Sequence, residues 1–195
     1  MGGDNAPKMV VQGMNLALLN HPEIKFLVFG NRDQLGSLLK KFPILEKVSE
    51  IRHTSDYISN NDKVAHALRA GKTSSMRLAI NAVANGEAGG VISAGNTGAL
   101  MAMAKFVLKT LPGIDRPAIA AQFPTERGKS LMLDLGANIE CNAQNLVQFA
   151  VMGEVLARQM LGLQNPSVGI LNVGAEDLKG KNSVKEAAAI LQETE

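Results

Sequence analysis

Tryptophan is absent from this chain and aromatic residues make up 4% of it. Any core must therefore be aliphatic, assembled from Leu, Ile, Val, Ala and Met. Cys141 is the only cysteine, which excludes a disulfide framework within the chain and a cysteine-rich metal site, and fits a reducing compartment. The three histidines, His21, His53 and His66, lack the spacing of metal ligands, so no metal is expected. No apolar run approaches the roughly 20 residues of a membrane span, and the first residues lack the basic-then-apolar pattern of a secretion signal. Cations and anions nearly cancel, 20 against 18 for a net charge of +2. With no basic block, nucleic acid is not an expected partner. Repeats, linkers and low-complexity segments are missing too, and composition marks no domain boundary. What is present, 46% hydrophobic and 19% charged residues, suits a globular core. A soluble intracellular protein is expected.

Periodicity predicts an alternation of helices and strands. Apolar residues at helical spacing run from Ala6 to Asn20, with Pro7 suited to a first turn. Ile24–Gly30 reads as a strand, followed by a helix capped by Asn31 or Asp33 that reaches about Lys41, ahead of Pro43. Val48–Arg52 reads as a further strand, and His53–Asp62 is polar and irregular. Helices are expected at Lys63–Ala70, Ser74–Asn85, Thr97 to about Leu111, Ala143–Leu161 and Ser183–Glu193. Further strands are expected at Val91–Ile92, Ala118–Gln122, Leu131–Leu135 and Val168–Val173. Apolar strands alternating with helices imply βαβ units, hence an α/β fold with a mostly parallel sheet covered by helices on both faces. In such sheets ligands sit at the carboxyl ends of the strands. Three of those ends carry polar or glycine-rich loops: Ser93–Asn96, Asp134–Asn138 and Asn172–Gly180.

The first of these loops, within the stretch from Gly89 to Ala102, is the one around which the chain is organised. A short strand stops in a Gly/Ser/Asn/Thr turn and runs straight into an apolar helix. Gly95 and Gly98 lack a Cβ, which allows close approach to the backbone. Ser93, Asn96 and Thr97 stand where a new helix has unpaired N–H groups and the positive end of its dipole. Two readings follow from this layout: a phosphate or other anion site, or a plain helix cap after a tight turn. Gly71-Lys72-Thr73 tempts a nucleotide-loop reading, which fails because His66 stands where a glycine is required and the preceding residues are helical. Asp134 is either a general base or an acceptor capping its own turn. Lys179 either holds an anion or is a surface lysine. Cys141, with no histidine nearby in sequence, is either a nucleophile or a packed side chain.

Several longer motifs carry a family resemblance. They are Met1-Gly2-Gly3-Asp4 with Ala6-Pro7, Ser74-Ser75-Met76, Ser93 to Met101, Gly113 to Ala118, Leu133 to Asn138, Gln148 to Gly153, and Val168 to Gly174 with Glu176-Asp177 and Lys179-Gly180. In this order, and across essentially the whole chain, they resemble the acyl-ACP:phosphate acyltransferase (PlsX) family. The resemblance implies transfer of a long-chain acyl group from acyl carrier protein to inorganic phosphate. The product, an acyl phosphate, feeds a membrane acyltransferase that acylates glycerol 3-phosphate in phospholipid synthesis. It also implies a fold like that of the isocitrate/isopropylmalate dehydrogenases, a homodimer, no metal or nucleotide cofactor, and a cytoplasmic location with peripheral membrane association.

The implied chemistry, read onto the loops, gives candidate roles, with Lys179 matching a lysine of the family's own loop motif. Ser93, Gly95, Asn96 and Thr97 would bind phosphate, Lys179 would be the cation facing phosphate or the tetrahedral intermediate, and Asn138 and Asn172 would donate hydrogen bonds. Family members have a strand ahead of the Met-Gly-Gly-Asp loop and a further portion beyond the position of Glu195. Residues 1–195 are accordingly expected to form a single incomplete α/β domain, the N-terminal portion of that fold. Gly71 occupies a position where many members carry a basic residue, which argues against a basic clamp there. The alternatives are a truncated, non-catalytic remnant of the enzyme, or a phosphotransacetylase-like acyltransferase using coenzyme A.

Overall fold

The computed structural model describes residues 1–126, 128–174 and 179–193. The chain divides into two compact units, Met1–Lys109 and Thr110–Glu195.

The first unit is α/β. Helix α1 (Lys8–Asn20) buries Val11 and Leu18, seven residues apart and therefore on one face. Strand β1 (Phe26–Gly30) follows, then helices α2 (Arg32–Leu39) and α3 (Pro43–Lys47), then strand β2 (Ser49–His53). Asn31 settles the choice of cap for α2, its Oδ1 accepting from the Asp33 and Gln34 amides at 3.1 Å each. Where one helix to Lys41 is expected, the chain breaks after Leu39 and Pro43 opens a second short helix at its first turn, a position that needs no proline N–H. The crossover through α2 and α3 makes β1 and β2 parallel, with Val28 opposite Ile51. Val11, Leu18, Val28, Leu35, Leu39 and Leu45 form the core against this pair. Each such side chain contributes about 1.5–3 kcal/mol on burial.

Helices α4 (Val64–Ala70), α5 (Ser75–Ala84) and α6 (Thr97–Leu108) complete the unit, with a tight helical turn at Gly71–Thr73. Their core is a separate cluster that includes Ile58, Ala67, Met76, Ile80, Ala99 and Met103. Ser74 caps α5, accepting from the Arg77 amide at 3.3 Å and donating to the Gly71 carbonyl at 2.7 Å.

The strand expected at Val91–Ile92 does not form. Ile92 is 96% exposed, and β1 pairs with β2 while a cleft of about 850 Å³ separates Phe26, Leu27 and Phe29 from Val91 and Ile92. Two apolar residues preceded by Gly89 and Gly90 do not hold an extended conformation without a ladder partner.

The second unit is built from strands β3 (Ala120–Thr125) and β4 (Gly128–Leu133) and helices α7 (Ala143–Leu161) and α8 (Asn182–Gln192). The expectation of parallel strands fails here. Only two positions separate β3 from β4, and a parallel connection needs about a dozen or more, so the pair is an antiparallel hairpin with Ala120 opposite Leu133. Gly128 takes φ 134°, which a side chain would resist. The strand expected at Val168–Val173 is also absent; Leu171 is 84% exposed. Its backbone finds no ladder among the described residues, where β3 and β4 pair with each other. Helix α7 starts and ends where periodicity places it. Asn142 and Asn145 cap its start reciprocally, and Gly162 closes it in the left-handed conformation. The fold is thus α/β, but among the described residues it carries two small sheets, one parallel and one antiparallel, rather than one mostly parallel sheet.

Candidate functional site

The turn from Ser93 to Gly98 is assembled from three segments of the first unit. Asn96 is its pivot. Its Oδ1 accepts from the Ala99 amide at 3.0 Å, capping α6. Its Nδ2 faces the carbonyls of Asp62 at 2.9 Å, Ser59 at 3.2 Å and Asn60 at 3.3 Å. Both ends of this amide are therefore committed to the protein, and the plain capping reading holds for the Asn96 side chain. Ser93 Oγ accepts from the Gly95 amide at 3.2 Å, which closes the turn. Thr97 is exposed on the first turn of α6. With the Ala99 amide capped, the amides of Thr97 and Gly98 have no partner among the described residues. These two N–H groups, at the positive end of a helix of 12 residues, are what the turn offers an anion.

The Met1–Asp4 loop lies against the same turn. A Cβ on Gly3 would collide with the Ala94 carbonyl, so glycine is required by the close approach of two backbones. Asp4 Oδ1 accepts from Asn60 Nδ2 at 3.0 Å, and Asp62 Oδ2 accepts from the Ser59 amide at 2.8 Å. The Ser59–Asp62 stretch is thus a built support for Asn96, whereas its sequence reads only as an irregular polar segment. A run of four turn-forming residues, Ser59-Asn60-Asn61-Asp62, was the available signal. A cavity of about 160 Å³ opens beneath the turn, lined by Gly3, Met14, Val28, Ile58, Met76 and Gly95 among others.

In the second unit, Asp134 organises its own turn. It accepts from the amides of Ile119 at 2.8 Å, Ala137 at 3.3 Å and Asn138 at 2.7 Å, and from Asn138 Nδ2 at 3.1 Å. Partial burial pushes this carboxyl up, but the hydrogen bonds to the ionised form outweigh it and the net shift is downward. A carboxylate so held is a poor proton acceptor near neutrality, which favours the turn-capping reading over a general base. Asn138 Nδ2 donates to the Pro117 carbonyl at 2.9 Å as well, so its donors serve the turn. Burial and the Asp134 charge raise the Cys141 thiol, only partly countered by Arg116. That shift favours an inert thiol over a nucleophile.

Asn172 and Lys179 are brought together: Asn172 Nδ2 donates to the Lys179 carbonyl at 3.2 Å and its Oδ1 accepts from the Val173 amide at 2.9 Å. Residues 175–178, with Glu176 and Asp177 of the quoted motif, lie outside the described residues. Among the described residues no three His, Cys, Asp or Glu side chains cluster as a metal site requires, and no helix is long and apolar enough to cross a membrane.

The family model for fatty acid synthesis protein matches residues 1–195. The chain belongs to that family. It is 60% identical to a phosphate acyltransferase of Rhodospirillum centenum over 98% of its own length and 54% of the relative's. Identity is 56% with the phosphate acyltransferase of Paramagnetospirillum magneticum, covering 100% of the chain and 55% of the relative. It is 55% with that of Rhodospirillum rubrum, covering 100% and 56%. The chain spans about half the length of the curated relatives it matches.

Proposed function

We propose that the protein to which this chain belongs is an acyltransferase that moves a fatty acyl group from acyl carrier protein to inorganic phosphate, giving acyl phosphate for phospholipid synthesis. The observation that carries this reading is the 60% identity, over nearly the whole chain, to a relative named phosphate acyltransferase. The chemistry asks little of the protein beyond positioning. Phosphate is a nucleophile at neutral pH; its oxygen attacks the thioester carbonyl, a tetrahedral oxyanion forms, and the carrier thiolate leaves with a proton. Catalysis then rests on holding phosphate in line and stabilising the oxyanion.

In this reading the Thr97 and Gly98 amides at the start of α6 receive a phosphate or carbonyl oxygen. Ser93 and Gly95 shape the turn, and Asn96 fixes the helix start. Lys179 supplies positive charge to phosphate or the intermediate, with Asn172 closing its loop and Asn138 holding the Asp134 turn in place. As the resemblance implies, we take residues 1–195 to be part of a single domain like the isocitrate/isopropylmalate dehydrogenases. We take the protein to work as a homodimer without metal or nucleotide, at the membrane periphery, supplying a membrane glycerol 3-phosphate acyltransferase.

The test is thiol release from acyl carrier protein by the full-length protein containing this chain, with and without phosphate. Phosphate-dependent release with stoichiometric acyl phosphate is expected. Release that ignores phosphate, or that needs ATP, would overturn the reading, and equal turnover of acyl-coenzyme A would reassign the donor.

A further inference from the structure

Between Lys63 and Lys109 the chain carries six cations, Lys63, Arg69, Lys72, Arg77, Lys105 and Lys109, against one carboxylate, Glu87. The whole chain is nearly balanced, at 20 to 18, so the excess is local. Glu87 is already engaged, paired with Arg52 at 3.0 Å. Three of the cations gather where α5 meets the end of α6. The Arg77 guanidinium lies 5.3 Å from the centre of the Phe106 ring and the Lys109 ammonium 5.2 Å from it. Lys105 is one helical turn before Lys109, and Phe106 itself is 61% exposed. None of Arg77, Lys105 and Lys109 pairs with a carboxylate among the described residues.

This arrangement has no evident role in holding the fold. Two cations sharing one exposed ring gain about 0.5–1 kcal/mol each from it, while their mutual repulsion goes uncompensated. Lys109 ends α6 at φ 68°, a backbone conformation in which glycine is the usual residue. The exposed Phe106 ring flanked by Lys105, Lys109 and Arg77, whose Nε also donates to Asn81 Oδ1 at 3.2 Å, is a positively charged surface complementary to an acidic partner.

We infer that this face, centred on Phe106 between Arg77 and Lys109 with Lys105 beside it, docks an acidic helix of the protein that delivers the acyl group. The inference rests on the proposed reaction, in which the acyl group arrives on a carrier protein. Lys105 and Lys109 are one turn apart, about 6 Å, the spacing of carboxylates at i and i+4 on a partner helix. Phe106 supplies an apolar anchor for such a contact. A lipid surface suits the face less well, because Arg77, Lys105 and Lys109 surround only two exposed large apolar side chains of α6, Phe106 and Leu108, while Met103 is fully buried and Leu100 and Val107 pack on the core.

The test is a titration of fluorescently labelled acyl carrier protein with this chain, followed by anisotropy. Lys105→Glu combined with Lys109→Glu is expected to weaken binding about tenfold or more, and Phe106→Ser several-fold. Lys40→Glu with Lys41→Glu, an equal charge change on the exposed end of α2, is expected to have an effect below about twofold, since rim charges act locally at physiological salt. Lys105→Gln with Lys109→Gln serves if the reversed pair fails to fold. Equal losses at both sites, no loss at the Phe106 face, no binding by the unaltered chain, or a matching dependence on these residues for phosphatidylglycerol vesicles would each overturn the inference. Turnover of acyl carrier protein by the full-length protein with unchanged binding by the variants would fell this surface alone. Absence of turnover with acyl carrier protein would fell the donor assignment beneath it.

Discussion

Replacing Asn96 separates the two things its side chain does. Asn96→Ala removes the cap on the Ala99 amide, which costs about 1 kcal/mol. It also strips the Asp62, Ser59 and Asn60 carbonyls of their shared donor. The amide has two hydrogens for three acceptors, and Asn96 is half-buried, so water replaces part of what is lost. A further 1–2 kcal/mol, roughly one to two net hydrogen bonds, is a fair charge for these contacts. The expected total is about 2–3 kcal/mol, a large share of the roughly 5–15 kcal/mol that holds a domain together. Asn96→Asp keeps the capping oxygen and gains about 0.5 kcal/mol from a negative charge at the helix start, but it turns a carboxylate oxygen toward three carbonyls. It should fall between the wild type and Asn96→Ala. Urea unfolding of the chain followed by circular dichroism measures both, with the slope unchanged if the two states are unaltered. An Asn96→Asp variant as stable as the wild type would refute the reasoning, since the bonds to the 59–62 segment would then contribute nothing.

Three further outcomes follow from the second unit. Because the Asp134 carboxyl is held below its ordinary range in the folded chain, its contribution to stability is fully present above the unfolded-state value and is lost as pH falls through the folded one. Asp134→Asn should flatten the acid limb of a stability–pH curve, and an unchanged limb would dismiss the four-bond account. Cys141, raised by burial and by the Asp134 charge, should react with iodoacetamide at neutral pH more slowly than a free thiol, and Cys141→Ala should leave acyl phosphate formation within about twofold; loss of activity would restore the nucleophile reading. In the full-length protein Lys179→Ala should lower turnover about a hundredfold while shifting the unfolding midpoint little, and near-normal turnover would return Lys179 to the surface.

Local interactions were readable from the sequence because they depend on neighbours in the chain. The limits of α7 follow from the Asn142/Asn145 cap, the apolar stripe and Gly162, all within the helix or adjoining it. Asn31 before α2 and Ser74 before α5 likewise announce helix starts through side chains that reach two or three residues ahead. The family resemblance rests on motifs spread along the chain, and the family model matches residues 1–195.

Strand formation is different, because a strand is completed only by another strand. Val91–Ile92 and Val168–Val173 have the right composition, yet neither has a ladder among the described residues. Composition could not reveal that, and pairing geometry decided it. The hydrogen-bond partners of the polar side chains were also decided in three dimensions. Asn96 and Asn138 each look like a donor to a ligand when read along the chain. Folding places the Asn96 amide among carbonyls 34 to 37 positions away and an Asn138 donor on the Pro117 carbonyl, 21 positions away. A buried or half-buried amide takes the partners the fold puts within hydrogen-bond reach of it, and no sequence spacing encodes which those will be.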